Sequence, residues 1–449
     1  MFEWLWKKVP FYGSVLFPGR MAPRAEEFGY LEKAGIRVSP GPARKGQRWT
    51  LGLEHPAWGQ AELRCSEDAR PPPREMIEQV WGMTGQEKET VLGAGVEVGL
   101  WREGRKKNIL RDRKEGLRFL RAIMGEEGAA GIDYLAQRVW PRGALEEELA
   151  HEADLDVSQI YAIHLVSEDG EEGEEEDEEE RDVQWLHAHG LGEIGFFDFD
   201  VLNPSEDVLG PGSDVLRAVA YAIIEKKVGI STGRFRVADR GGVLRFVEVG
   251  DFMKRAAAEY TALRGDEGDS YHEAKRVVLC QPAGRLGGWS KKVAPSKYLA
   301  GPIDERSLIT FSRAATELMA ARARETYGTL RRLFEEFREF EFPVGVKLGY
   351  RVDGGNTDER EHLWFEVHRL EGEQIEGTLQ SPPVAVSGLR LGERGRYPAG
   401  LMSDWLISTP AGMISPRDTL AARTIREQKE VMRNLMAIVR KEGKEAGRK

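Results

Sequence analysis

Ile160-Tyr161-Ala162-Ile163-His164-Leu165-Val166 and Val183-Gln184-Trp185-Leu186-His187-Ala188-His189 are the two stretches on which the reading of this chain turns. Both are rich in β-branched and aromatic residues, so both read as strands. Residues 168–182, between them, hold 12 acidic residues and one Arg. A like-charge block of this kind repels itself and buries no apolar area, so it reads as a disordered loop. The two strands are then expected to be hairpin partners with an expanded turn. Such an insertion costs little, because closure entropy grows only with the logarithm of loop length.

The same block explains the net charge of −10. Of 75 acidic and 65 basic residues, those outside it number 63 and 64. The remainder is near neutral and shows no basic stripe, which argues against nucleic-acid binding. A chain of 449 residues exceeds one typical core, so two or three domains are expected. Apolar residues at 41% and charged residues at 31% fit a soluble globular protein. No apolar run approaches the eighteen or so residues of a membrane span, and the N-terminal patch, broken by Gly13, makes a poor signal peptide. Cys65 and Cys280 are the only cysteines, which fits a reducing, cytoplasmic setting and excludes an all-cysteine metal cluster.

Working outward, residues 12–17 and 36–39 read as strands around a helix at 24–33. Residues 49–53 and 60–65 alternate with period two across the turn His55-Pro56-Ala57-Trp58-Gly59. Pro71-Pro72-Pro73 marks a break before a helix at 75–91, a strand at 96–101 and a helix at 113–124. Beyond the acidic block come a helix at 214–226, a hairpin of 234–237 with 243–249, and a strand at 277–280. Residues 284–304, rich in Gly, Pro, Ser and Lys, read as a linker. Then follow a long helix at 312–340, strands at 344–352, 363–369, 374–379 and 401–408, and a final amphipathic helix at 417–441.

The expected class is α+β. Residues 1–156 form one α/β unit and 157–283 a second α+β unit, together a sandwich-like region. Residues 305–449 form a small β-rich module, a curled sheet or barrel flanked by helices.

His187 and His189, two apart on a strand, face one side. His164, on the partner strand, is a candidate neighbour. Three imidazoles, or two with Glu193, Asp198 or Asp200, suit zinc or another divalent ion. Against this stands the plain reading, half-buried strand residues satisfied by hydrogen bonds, which the residue types favour. Gly190-Leu191-Gly192-Glu193-Ile194-Gly195 has dinucleotide-loop spacing, but a strand-like run follows where a helix is required. Gly229-Ile230-Ser231-Thr232-Gly233 has nucleophile-elbow spacing with helix and strand reversed, so it reads as a turn.

In the C-terminal third, Glu361-His362-Leu363-Trp364-Phe365-Glu366-Val367, Glu376-Gly377-Thr378-Leu379 and Ser403-Asp404-Trp405-Leu406-Ile407 occur in order. This region, roughly 307–420, resembles the bacterial domain of unknown function 2314. The segment 183–191, with Val139-Trp140-Pro141, is similar to domain of unknown function 4026, with Ala188 in place of the expected threonine. Neither resemblance implies a reaction. A groove lined by His362, Trp364, Tyr397, Asp404 and Trp405 is the candidate site for a protein or peptide partner. The alternative places Trp405 in the core and Asp404 on backbone N–H groups. The expected function is a bacterial cytoplasmic binding or regulatory protein without catalysis or cofactor, binding neither nucleic acid nor membrane. The alternative is a metal-dependent, hydrolase-like enzyme using His187 and His189.

Overall fold

Alternating side chains build most of the strands, and short apolar helices cover their inner faces. The computed structural model of the chain describes residues 8–19, 23–42, 44–67, 74, 77, 83–167, 183–210, 212–264, 275–282, 292–304, 307–355 and 359–446. The acidic block 168–182, Pro71-Pro72-Pro73 and part of the helix expected at 75–91 lie outside these residues; Gly85–Leu92 is helical. Among them are three open sheets with helices, an α+β protein in which no sheet closes into a barrel. No helix among them is long and apolar enough to cross a membrane.

The chain divides into two compact units: residues 1–70, 96–140 and 155–312, and residues 71–95, 141–154 and 313–449. This grouping differs from the expected one, because both N-terminal sheets share the first unit and two short N-terminal segments join the second.

The first sheet holds β1 (Lys8–Pro18), β2 (Arg37–Pro40), β3 (Gln47–His55), β4 (Gly59–Ser66), β5 (Ala94–Arg105), β6 (Ala130–Asp133) and β7 (Arg138–Pro141), in the order β2-β3-β4-β5-β1-β6-β7. The helix Ile109–Met124 buries Leu117, Leu120 and Ile123 against it. That helix also carries Asp112, which takes a buried guanidinium from Arg102 at 2.8 Å, and Arg113, which pairs with Asp133.

The second sheet holds β8 (Ala162–Ser167), β9 (Val183–His189), β10 (Asp198–Leu202), β11 (Phe235–Arg236), β12 (Val243–Glu248) and β13 (Arg276–Cys280), ordered β11-β12-β13-β10-β9-β8. β8 and β9 are antiparallel partners, with His164 opposite His187. β10 pairs antiparallel with β9 and parallel with β13. The loop at 190–197 is a turn leading into β10; Gly190 has φ 121°, and a Cβ there would stand 2.5 Å from the Leu135 carbonyl oxygen. At 229–233 the helix Asp214–Ile224 precedes and β11 follows, a helix-to-strand turn. The expected linker is partly packed: Leu299 is fully buried, Val293 joins the cluster around Phe252, and the Ser296 N–H donates to Leu279 O.

The second unit is built on β14 (Val344–Arg351), β15 (Arg360–Glu371), β16 (Gln374–Leu379), β17 (Arg394–Pro398), β18 (Met402–Thr409) and β19 (Gly412–Ile414), ordered β17-β16-β15-β14-β18-β19 and wholly antiparallel. The long helix expected at 312–340 is broken into Arg313–Glu325, Tyr327–Glu336 and a 3₁₀ turn, Arg338–Phe340. Thr326 marks the first break. Its hydroxyl donates back to the carbonyls of Arg322 and Ala323 and accepts the Trp405 indole N–H at 2.8 Å. Such back-bonding competes with the helix ladder. The final helix is likewise split, into Leu420–Glu427 and Lys429–Ala446. Buried Arg322 makes two 2.8 Å bonds to Glu148, and Glu325 accepts the Ala153 N–H, which ties segment 141–154 to this unit.

Candidate metal centre

Direct cross-strand partners share a sheet face. The register Asp200↔His187 and His164↔His187 therefore puts His164, His187, His189, Asp198 and Asp200 on one face of the second sheet. The helix Ala258–Arg264 packs against β9 and β10. Its last residue, Arg264, is buried, donates to Asp200 Oδ2 at 2.8 Å, and lies over the Trp185 ring at 4.4 Å.

His187 and His189 are 5% and 7% exposed, and Asp198 is fully buried. One ligand atom from each of the three lies within 4.8 Å of the others. His187 Nδ1 is 2.7 Å from Asp200 Oδ1. Nδ1 faces the Asp200 carboxylate, which also holds Arg264, so Nε2 is the nitrogen that would ligate an ion. His189 Nδ1 lies 3.4 Å from Glu193 Oε1.

Asp198 Oδ1 accepts the Gly192 N–H at 2.9 Å, while Oδ2, also buried, accepts no hydrogen bond among the described residues. Burial pushes the Asp198 carboxyl well above the usual carboxylate range, and Glu193 and Asp200 add to this against the pull of the Gly192 and Leu191 N–H groups. Among the described residues, Oδ2 therefore has no donor. A proton or a cation would satisfy it. Two imidazoles and a carboxylate oxygen match the donor set of zinc and similar divalent ions. His164, exposed on the edge strand, stands with its ring centroid 6.2 Å from that of His187 and 5.7 Å from that of His189.

The histidines and Asp198 were within reach of sequence reasoning, which weighed Asp198 with Glu193 and Asp200. Arg264 was not; it lies 64 residues from Asp200, and no local pattern announces the pairing.

The five residues expected to line a groove in the second unit do not share one. Trp405 is fully buried, and Tyr397 is 6% exposed with its ring 4.4 Å from Phe365 in the core. His362, Trp364 and Asp404 alternate onto the opposite face. Asp404 Oδ1 accepts the Trp405 backbone N–H and Oδ2 faces Arg417 at 3.4 Å. The half-buried Trp364 ring lies under the Lys347 ammonium at 5.0 Å. His362 Nδ1 is 2.8 Å from Ser403 Oγ, and burial, with Lys347 and Arg360 nearby, lowers its pKa to about 4. Large aromatics serve the core here, as their area favours.

Comparison with known proteins fits this two-part description. The family described as "Uncharacterized protein conserved in bacteria (DUF2314)" matches residues 313–435, which include the third sheet. "Protein of unknown function (DUF4026) C-terminal" matches residues 171–279, which include His187, His189, Asp198, Asp200 and Arg264. No curated protein and no solved structure matches the chain.

Proposed function

We propose that this is a non-catalytic binding protein whose second sheet holds one divalent transition-metal ion, of zinc type, on His187, His189 and Asp198. The observation that carries the reading is the buried Asp198 Oδ2, which accepts no hydrogen bond among the described residues and stands beside two imidazoles. The Arg264–Asp200–His187 chain supports it. Ligating histidines are commonly held by a carboxylate on the other ring nitrogen. Donor residues this deeply buried favour an ion that holds structure over one that works on substrate, since catalytic zinc keeps a coordination position open. The cysteines, both free and buried, support a reducing compartment, and we assign the protein to the bacterial cytoplasm.

The test is metal removal from the full chain and titration with zinc. The reading expects tight binding of about one equivalent, lost in His187→Ala and Asp198→Ala. Equal, weak binding by all three proteins contradicts it.

A further inference from the structure

We infer that His164 is the fourth donor of this centre, so that the ion ties the edge strand β8 to β9 and β10. The inference rests on the metal reading above.

Geometry carries it. The three imidazole rings of His164, His187 and His189 form a nearly equilateral triangle, with centroid separations of 6.2, 5.7 and 6.2 Å. A tetrahedral ion bonded to three imidazole nitrogens at about 2.0–2.1 Å holds the ring centres roughly 5 Å apart. The triangle seen here is wider by about 1 Å, and His164 lies outside the 4.8 Å grouping of the other three donors, so closure requires rotation of its exposed side chain toward them. The fourth vertex is Asp198, whose position opposite His189 follows from the β9–β10 register.

Burial assigns the roles. His187, His189 and Asp198 are buried, whereas His164 is exposed on the outermost strand. An ion approaching from solvent meets His164 first. Once His164 binds, the centre is closed by three nitrogens and one oxygen, the four-coordinate form of structural sites. Glu193 is the competing donor, but its carboxylate is directed at His189 Nδ1.

The consequence is metal-dependent fastening of β8. Its outer edge pairs with no other strand among the described residues, and edge strands open more readily than central ones. A bond from His164 to the ion joins β8 to the buried strands by a link independent of the β-ladder.

The experiment uses the metal-free full chain and compares wild type, His164→Ala, His164→Gln, Glu193→Gln and His187→Ala. Zinc affinity is read by competition with a chelator, and coordination by the visible spectrum of the cobalt(II) form. We expect both His164 variants to bind zinc about 10- to 1000-fold more weakly and to lose the intense four-coordinate cobalt bands, since one first-sphere bond is gone. Their metal-free melting curves should match wild type, because the side chain is exposed. Unchanged affinity and spectrum in both His164 variants, or loss in Glu193→Gln in their place, overturns the assignment while leaving the three-residue centre standing. Absence of zinc and cobalt binding by wild type overturns the centre itself.

Discussion

His187 Nδ1 and Asp200 Oδ1 lie 2.7 Å apart across the antiparallel pair β9–β10, and the other oxygen of the same carboxylate holds the Arg264 guanidinium. One carboxylate thus orients an imidazole and is itself held by a buried guanidinium. Asp200→Asn should weaken zinc binding by about 10- to 100-fold, the usual cost of losing a partner that orients a ligating histidine. Chelator competition measures this. An affinity equal to wild type would mean that the pair serves the fold alone.

A buried ion pair is among the contacts that join segment 141–154 to the rest of the second unit. Arg322 is 1% exposed and doubly bonded to Glu148. Glu148→Ala leaves that charge buried without its carboxylate and should cost about 3–5 kcal/mol. Urea unfolding of the full chain checks it. A change under about 1 kcal/mol would show that the pair is dispensable.

Trp405 is a core residue. Trp405→Ala should cost about 3–5 kcal/mol, the range for removing a large buried aromatic. Trp364→Ala, on the half-buried opposite face, should cost clearly less. Equal losses, measured by the same unfolding series, would contradict the placement of the two side chains.

His362 gives a pH dependence. Its pKa in the folded protein is lowered to about 4 from an ordinary 6.5, so the unfolded chain binds the proton more tightly. The group's stabilising contribution is present above about pH 6.5 and is lost as pH falls toward 4, by at most about 3 kcal/mol. His362→Gln should flatten that part of the profile when unfolding is followed between pH 7 and 4.5. A profile as steep as wild type would place the titration elsewhere.

The β8–β9 hairpin was legible because two alternating apolar runs flanked one charge block, and periodicity is the strongest signal a sequence carries. The α+β class followed from the same patterns. The four-residue strands Ala130–Asp133 and Arg138–Pro141 are too short to show a period. The parallel pairing of β10 with β13 joins residues far apart in sequence, which no local pattern encodes. The break at Thr326 depends on the indole of Trp405, 79 residues away. The docking of 141–154 depends on Arg322, which in sequence is one arginine of a polar helix. The groove failed for a simpler reason: alternation puts Trp364 and Trp405 on opposite faces, and only the observed register of β15, β14 and β18 fixes which face is which.

For the centre, sequence supplied the donors and structure supplied the argument. Residue types alone favour ordinary strand histidines. The buried Asp198 carboxylate beside them, and the Arg264–Asp200 pair behind His187, are what support the proposed cation.

The most direct test of the central claim is the metal content of untagged, full-length protein purified without chelator, read by inductively coupled plasma mass spectrometry. The account predicts about one equivalent of zinc or another divalent transition metal per chain, absent from His187→Ala. A wild-type preparation carrying no stoichiometric metal, and taking up none when zinc is added, would contradict it and leave His187, His189 and Asp198 as structural residues of the sheet.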